Sequence, residues 1–366
     1  MIENAIQRWT LSLAKLFMPE RFPEVSPFKN LLEAYRAFGG DETIQGLFDR
    51  RRALDSLQAS VTSSSFSFAL QNAMNMYLSK IYWTYPFREE ILISERKEAR
   101  DFRTIHSVQL SYFSDIGVMY PEVEDYPETP DLADSEAQYA IDTRGTILWV
   151  TRMVIINNRT DLIKAYLDRV VKATRRTHAR YVWNFFLNNA TTPDGTGWFT
   201  ADHGNLGSQA IGITAVAAAI TALANLTEPG SGEPLGMDLA SFKWHLVVGT
   251  SNWQEAVKVN QNDSYFTGND LTTKVANPCR HLFGEKNERI ITCPFITDND
   301  WGVIRNAEEV PIVEMSYLNG RQEPEILISD GPREGQMLKR DRIGYKIRHE
   351  YGGGLPEHRG GYKSLV

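Results

Sequence analysis

From Thr104 to Asn189 the sequence runs through an alternating strand, an acidic loop, a second alternating strand and a long basic helix. In the first strand Thr104, His106, Val108, Leu110 and Tyr112 share one face. Ile105, Ser107, Gln109 and Ser111 share the other, the period of two that a pleated backbone imposes. The return strand is predicted from about 139 to 155, with Ile141, Ile147, Trp149, Met153 and Ile155 on one face. Between Thr104 and Thr143 stand nine acids (Asp115, Glu122, Glu124, Asp125, Glu128, Asp131, Asp134, Glu136 and Asp142) and no lysine or arginine. Pro121, Pro127 and Pro130 discourage regular structure there. A loop of that length is out of place inside a compact domain, but not in a ribbon that reaches onto a neighbour.

The helix that follows is predicted from Asp161 to about Asn188, roughly 40 Å at 1.5 Å per residue. Leu162, Tyr166, Val170, Thr174, Tyr181 and Phe185 form an apolar stripe, with Ile163, Leu167, Val171, Val182 and Phe186 beside it. Lys164, Arg169, Lys172, Arg175, Arg176 and Arg180 are six cations; less Asp161 and Asp168 they leave the helix at +4, in a chain of net charge −7. A solvated helical face needs no partner. Beside a loop of opposite sign, however, the basic helix favours pairing with another subunit's loop, or exposure to nucleic acid. The chain is read as a subunit that completes its packing with copies of itself.

Length and composition agree with that reading. At 366 residues the chain exceeds what one compact core serves, so two lobes or more are expected. Its negative charge excludes a nucleic-acid binder driven by overall charge. Two cysteines, Cys279 and Cys293, offer no disulfide framework, and a reducing cytoplasm suffices. The start, Met-Ile-Glu-Asn, lacks a leader's basic and apolar pattern, and no apolar run approaches the roughly 18 residues of a membrane span. A soluble protein without membrane contact is expected.

Along the chain, helices are predicted at 2–17, 28–38 and 42–59, then a Ser/Thr-rich linker at 60–67 and a helix at 68–82. A charged patch, Glu95 to Arg103, leads into the ribbon. After the basic helix come a turn-rich piece from Thr191, an Ala-rich helix at 213–226, a strand at 242–249, a helix near 251–258 and strands at 289–295, 311–318 and 343–351. The class is α+β.

Chemistry is sparse. Asp202-His203 is the most enzyme-like pair, although adjacent side chains do not face each other and no Gly-x-Ser-x-Gly motif is present; a turn held by hydrogen bonds is the plainer role. Cys279, His281 and Cys293 lack the fourth ligand and the tight spacing of a structural zinc site, and two buried thiols are expected. Gly352 to Gly354 and Gly360-Gly361 match no phosphate-binding loop and are assigned to turn geometry. No catalytic residue, cofactor or metal is expected.

The stretch Trp198-Phe199-Thr200-Ala201-Asp202-His203-Gly204-Asn205-Leu206, after a long helix, resembles the major capsid proteins of Mu-like tailed phages. Asp101-Phe102-Arg103, the exit from Arg152 through Asn158, Asn319-Gly320-Arg321-Gln322-Glu323-Pro324, Tyr351-Gly352 and Arg359-Gly360-Gly361-Tyr362-Lys363 are similar to the same family, in the same order. The resemblance covers about residues 100–366. It implies a Hong Kong 97-type capsid fold: a helical arm at 1–60, the start of a peripheral domain at 61–101, an E-loop hairpin at 102–158, the spine helix within 159–207, an axial domain at 208–335 and a return to the peripheral domain at 336–366. It implies a major head protein that forms hexamers and pentamers and closes into an icosahedral shell around double-stranded DNA. Portal, scaffolding and decoration proteins are the implied partners, the virion the location and host cytoplasm the place of assembly. The rivals are an encapsulin-like compartment and a soluble hydrolase using Asp202 and His203.

Overall fold

The computed structural model describes residues 2–21, 24–25, 28, 33–34, 69–110, 134–151, 153–154, 157, 159–229, 231–235, 242–266, 274–307, 310–328 and 342–366. The expected helices at 28–38 and 42–59 therefore lie outside the described residues except at Phe28, Glu33 and Ala34, as does the linker at 60–67.

In chain order the elements are α1 (Ile2–Phe17), α2 (69–82), β1 (Ile93–Ala99), β2 (Ile105–Leu110), β3 (Asp134–Tyr139), β4 (Asp142–Thr151) and α3 (Thr160–Leu187). Then follow β5 (Leu206–Gly207), α4 (Ile213–Ala224), β6 (His245–Val248), α5 (Trp253–Gln261), β7 (Ser264–Phe266), β8 (Lys274–Ala276) and β9 (Ile290–Thr292). β10 (Trp301–Ile304), β11 (Val313–Leu318), β12 (Glu325–Ile328), β13 (Arg342–Gly354) and β14 (Gly361–Ser364) complete the chain. Among the described residues no helix is long and apolar enough to cross a membrane.

The chain divides into two compact units. The first comprises residues 1–86, 142–177 and 321–350. Its core is built from Leu13, Phe17, Leu70, Met74, Leu78 and Tyr82 on α1 and α2, Ile163, Leu167 and Val171 on α3, Val150 on β4, Ile326 on β12, and Tyr345 and Ile347 on β13. β12 runs antiparallel to β13, pairing Glu325 with Arg348 and Ile328 with Tyr345, and β4 also pairs with β13. Asn75 on α2 closes the edge of β12: its amide donates to the Ile326 carbonyl at 3.0 Å and accepts from the Ile326 N–H at 2.7 Å.

The second unit comprises residues 87–141, 178–320 and 351–366. It holds a five-stranded sheet ordered β5-β14-β10-β6-β9, with β14 and β6 antiparallel to β10, β9 parallel to β6 and β5 parallel to β14. α4 and α5 bury Val216, Ala219, Leu223, Ala256 and Val259 in a core with Trp244, Leu246, Val248, Trp301 and Val303. A second cluster gathers Trp183 and Phe186 of α3 with Trp198, Phe199, Val313, Met315 and Tyr351. Burying a side chain such as Phe186 contributes on the order of 2–3 kcal/mol. β1 runs parallel to β11, and the last residues of β13 run antiparallel to it, Glu314 facing Gly354 and Tyr317 facing Tyr351. β2 and β3 form an antiparallel ribbon, from Ile105 opposite Tyr139 to Leu110 opposite Asp134.

Two expectations about the strands need correction. The return strand is not one piece from 139 to 155: it breaks at Ala140–Ile141 into β3, which pairs with β2, and β4, which pairs with β13. The buried face shows why. A continuous strand keeps one parity inward, but Ala137 and Tyr139 are buried in β3, whereas Val150 is buried and Leu148 packs on the core in β4. Ile147 and Met153, expected to share a face with Ile141, are exposed whereas Ile141 is buried, and Ile155 lies outside the described residues. The charged patch at Glu95 to Arg103 is in large part a strand, β1, with Glu95, Arg96 and Glu98 at exposed positions and Lys97 half-buried.

Candidate assembly surfaces

The β2–β3 ribbon is held at its root by one carboxylate. β11 carries Glu314 with its side chain 4% exposed, at a position where strand pleating turns it toward the ribbon. Lys97 on β1 places Nζ 2.8 Å from Glu314 Oε1, Tyr139 at the end of β3 donates its hydroxyl to the same oxygen at 2.6 Å, and Ser107 on β2 donates to Oε2. The Tyr139 hydroxyl also lies 2.8 Å from Ser316 Oγ. A buried carboxylate is tolerated when its lone pairs are occupied and a cation stands beside it. Burial draws the Lys97 ammonium down, but the hydrogen bond and charge of Glu314 outweigh it and raise the pKa, so Lys97 stays charged. Burial and the bond to Glu314 push the Tyr139 phenol far up, so it remains a donor.

The same root corrects the reading of the C-terminal glycines. Gly352 to Gly354 lie inside strand β13, not in a turn. A Cβ on Gly352 would fall 2.1 Å from the Ala140 carbonyl oxygen, and one on Gly354 2.7 Å from the Tyr139 ring. The glycines are there because the ribbon's root crosses the strand at backbone distance. Gly361 likewise belongs to β14.

Beyond its root the ribbon offers an exposed face. His106, Val108, Glu136 and Gln138 are exposed, Val108 at 55%, while Ser107 and Ala137 on the opposite face are buried. Glu136 pairs with His106 Nδ1 and accepts from Gln138 at 3.1 Å, and these bonds hold its carboxyl below the usual range. Of the predicted acidic loop, Asp115, Glu122, Glu124, Asp125, Glu128 and Asp131 lie outside the described residues; Asp134 opens β3.

α3 follows its expected limits to within a residue, and passes from the first unit to the second between Thr177 and His178. Its deep face is the row of Ile163, Leu167, Val171, Val182 and Phe186; the row expected to lead is half-buried, with Tyr166 exposed. Arg169 and Arg176 are exposed. Lys164 lies over the Tyr77 ring at 5.5 Å and Lys172 over Tyr85 at 5.9 Å. Arg180 lies over Phe295 at 4.9 Å. Arg175 does not belong to an exposed basic face: it is 1% exposed, its guanidinium over Trp83 at 5.1 Å and Tyr82 at 5.6 Å. Helical spacing turns that one position inward.

The enzyme-like residues resolve differently. Asp202 is exposed, and the acid that meets His203 is Asp194, with Oδ2 2.6 Å from Nε2. His203 Nδ1 lies 3.1 Å from the Trp198 carbonyl. Asn205 Nδ2 donates to the carbonyls of Trp198, His358 and Gly361, tying this turn to the C-terminal segment. Cys279 and Cys293 are free and buried, in separate apolar clusters, with burial raising each thiol to about 11. His281 is exposed, and among the described residues it forms no ligand group with the cysteines.

The family model of the phage capsid proteins matches residues 135–364. The chain belongs to the phage capsid protein family. As a member it is a structural capsid subunit, which associates with copies of itself into an icosahedral shell. No curated protein sequence matches it. Among solved structures, the capsid of a native GTA particle matches at TM-score 0.50 and 9% identity, over 77% of this chain and 91% of that one. A structure of Microbacterium phage Oxtober96 matches at TM-score 0.50 and 9% identity, over 76% and 90%. The shared fold is the mixed α+β, Hong Kong 97-type capsid fold.

Proposed function

We propose that this capsid subunit is the major head protein of a tailed phage, forming hexamers and pentamers that close around double-stranded DNA. The observation that carries the reading is the ribbon: fastened at Glu314, it shows an exposed outer face for another copy to cover. In this reading residues 102–158 form the E-loop, α3 is the spine helix, residues 1–60 the arm and 208–335 the axial domain. Residues 61–101, 159–207 and 336–366 make up the peripheral domain. The acidic loop (Asp115 to Glu136) sets register on a neighbour, and Arg169, Arg176, Lys172, Lys164 and Arg180 supply its complement or meet DNA phosphates without reading sequence. The role is mechanical, not enzymatic. Portal, scaffolding and decoration proteins are its further partners, and assembly takes place in host cytoplasm.

Electron microscopy of the purified chain after size-exclusion chromatography tests this. Closed shells or capsomers are expected; a monodisperse monomer under all salt conditions would overturn the reading.

A further inference from the structure

Asp194, His203 and His358 each place one ligand atom within 4.8 Å of the other two. They come from the turn after α3 and from the segment before β14. We propose that they form a site for a divalent transition metal, zinc being the best match, which staples residues 191–205 to residues 357–361.

Asp194 and His203 are each aimed by a partner that leaves the ligand atom free for the centre, and His358 has a carboxylate behind its ring. The Trp198 carbonyl can only accept, so His203 Nδ1 carries the hydrogen at 3.1 Å and Nε2 presents its lone pair inward. His358 Nδ1 lies 3.5 Å from Glu357 Oε1, which leaves Nε2. Asp194 Oδ1 is taken by the Thr192 hydroxyl at 2.6 Å, the Thr196 N–H at 3.1 Å and the Thr196 hydroxyl at 3.0 Å, which leaves Oδ2. A carbonyl or carboxylate behind each imidazole is the usual outer shell of a metal-bound histidine. In front, the His203 Nε2 lone pair faces Asp194 Oδ2 at 2.6 Å, two acceptors that need a cation or a proton between them.

Two imidazoles and one carboxylate match the ligand set of a four-coordinate zinc whose remaining place is filled by water or by Thr196 Oγ1, 3.1 Å from His203 Nε2. His203 and His358 stack at 3.8 Å with planes 7° apart, so binding opens the stack into a wedge by rotation about the side-chain torsions. The histidine side chains are 9% and 19% exposed and Asp194 43%, which gives an ion a route in from the acid's side. The metal would add to bonds that already join the two segments, Trp198 Nε1 and Asn205 Nδ2 both donating to the His358 carbonyl.

The test uses the full chain, stripped with chelator, loaded with zinc, passed through gel filtration and assayed for metal, with magnesium as the comparison. One zinc per chain is expected, together with a higher Tm in zinc but not in magnesium. His358→Gln and Asp194→Asn, checked for folding by circular dichroism, should each bind at least about tenfold more weakly. His281→Gln should bind as the parent does. No zinc retained by the parent would overturn the proposal, leaving a protonated His203 between its two acceptors. Unchanged zinc in both site variants would overturn it equally, pointing to ligands elsewhere.

Discussion

At the scale of single residues, Glu314 decides where the ribbon leaves the body. Glu314→Ala would leave the Lys97 ammonium and the Tyr139 hydroxyl without their carboxylate. Breaking a fully buried ion pair costs about 3–5 kcal/mol. The Lys97 side chain is 37% exposed and partly screened by water, so a loss nearer about 2 kcal/mol is expected. Glu314→Gln should lose less, because its amide oxygen still accepts from Tyr139 or Ser107. Chemical denaturation of unassembled subunits measures both, and equal losses would show that the hydrogen bonds play no part and that charge alone fastens the root. This cluster was not legible in the sequence: Ser107 and Glu314 are 207 positions apart, and one acid in an apolar strand carries no local signal. The acid that meets His203 was not legible for a simpler reason. Asp202 is adjacent, and adjacent side chains diverge, whereas Asp194 meets the histidine across a turn.

At the scale of elements, periodicity located what it governs. α3 and α1, with apolar residues at helical spacing, fall where predicted, and the alternation of Ser107 against His106 and Val108 is seen in β2. It failed where a strand's environment changes along its length. The break at Ala140–Ile141 leaves no mark in composition, and β1, rich in Glu, Arg and Lys, hides its strand character because Glu95, Arg96 and Glu98 stay in water while Lys97 turns to Glu314. On α3 the structure sorts the cations into exposed and packed, and mutations should follow that division. Arg169→Glu with Arg176→Glu should leave subunit stability within about 0.5 kcal/mol, as exposed sites do. The pair should weaken assembly, most of all at low salt, where unscreened charge steers encounter. Arg175→Ala should do the reverse, lowering subunit Tm through lost packing over Trp83 and Tyr82. Sedimentation velocity against salt, paired with thermal melts, separates the two effects; equal assembly by the double variant would remove charge steering from the account.

At the scale of the whole molecule, the family places the chain in a shell, and the proposed reading lays its ribbon on a neighbouring copy. Covering the exposed face costs ordering entropy, which only a large interface offsets. The measurement that reaches this claim uses a thiol at the ribbon's outer face. Both natural cysteines are buried, so Val108→Cys provides an accessible thiol on a residue 55% exposed. Particles assembled from a mixture of isotopically light and heavy subunits, joined through that thiol with a short photo-activated linker and read by mass spectrometry, report whose surface it touches. In a one-to-one mixture, mixed light–heavy cross-links from residue 108 are expected to approach the statistical half that purely inter-subunit contact gives, and to vanish in unassembled subunits. Cross-links confined to a single chain, equally abundant before and after assembly, would contradict the account.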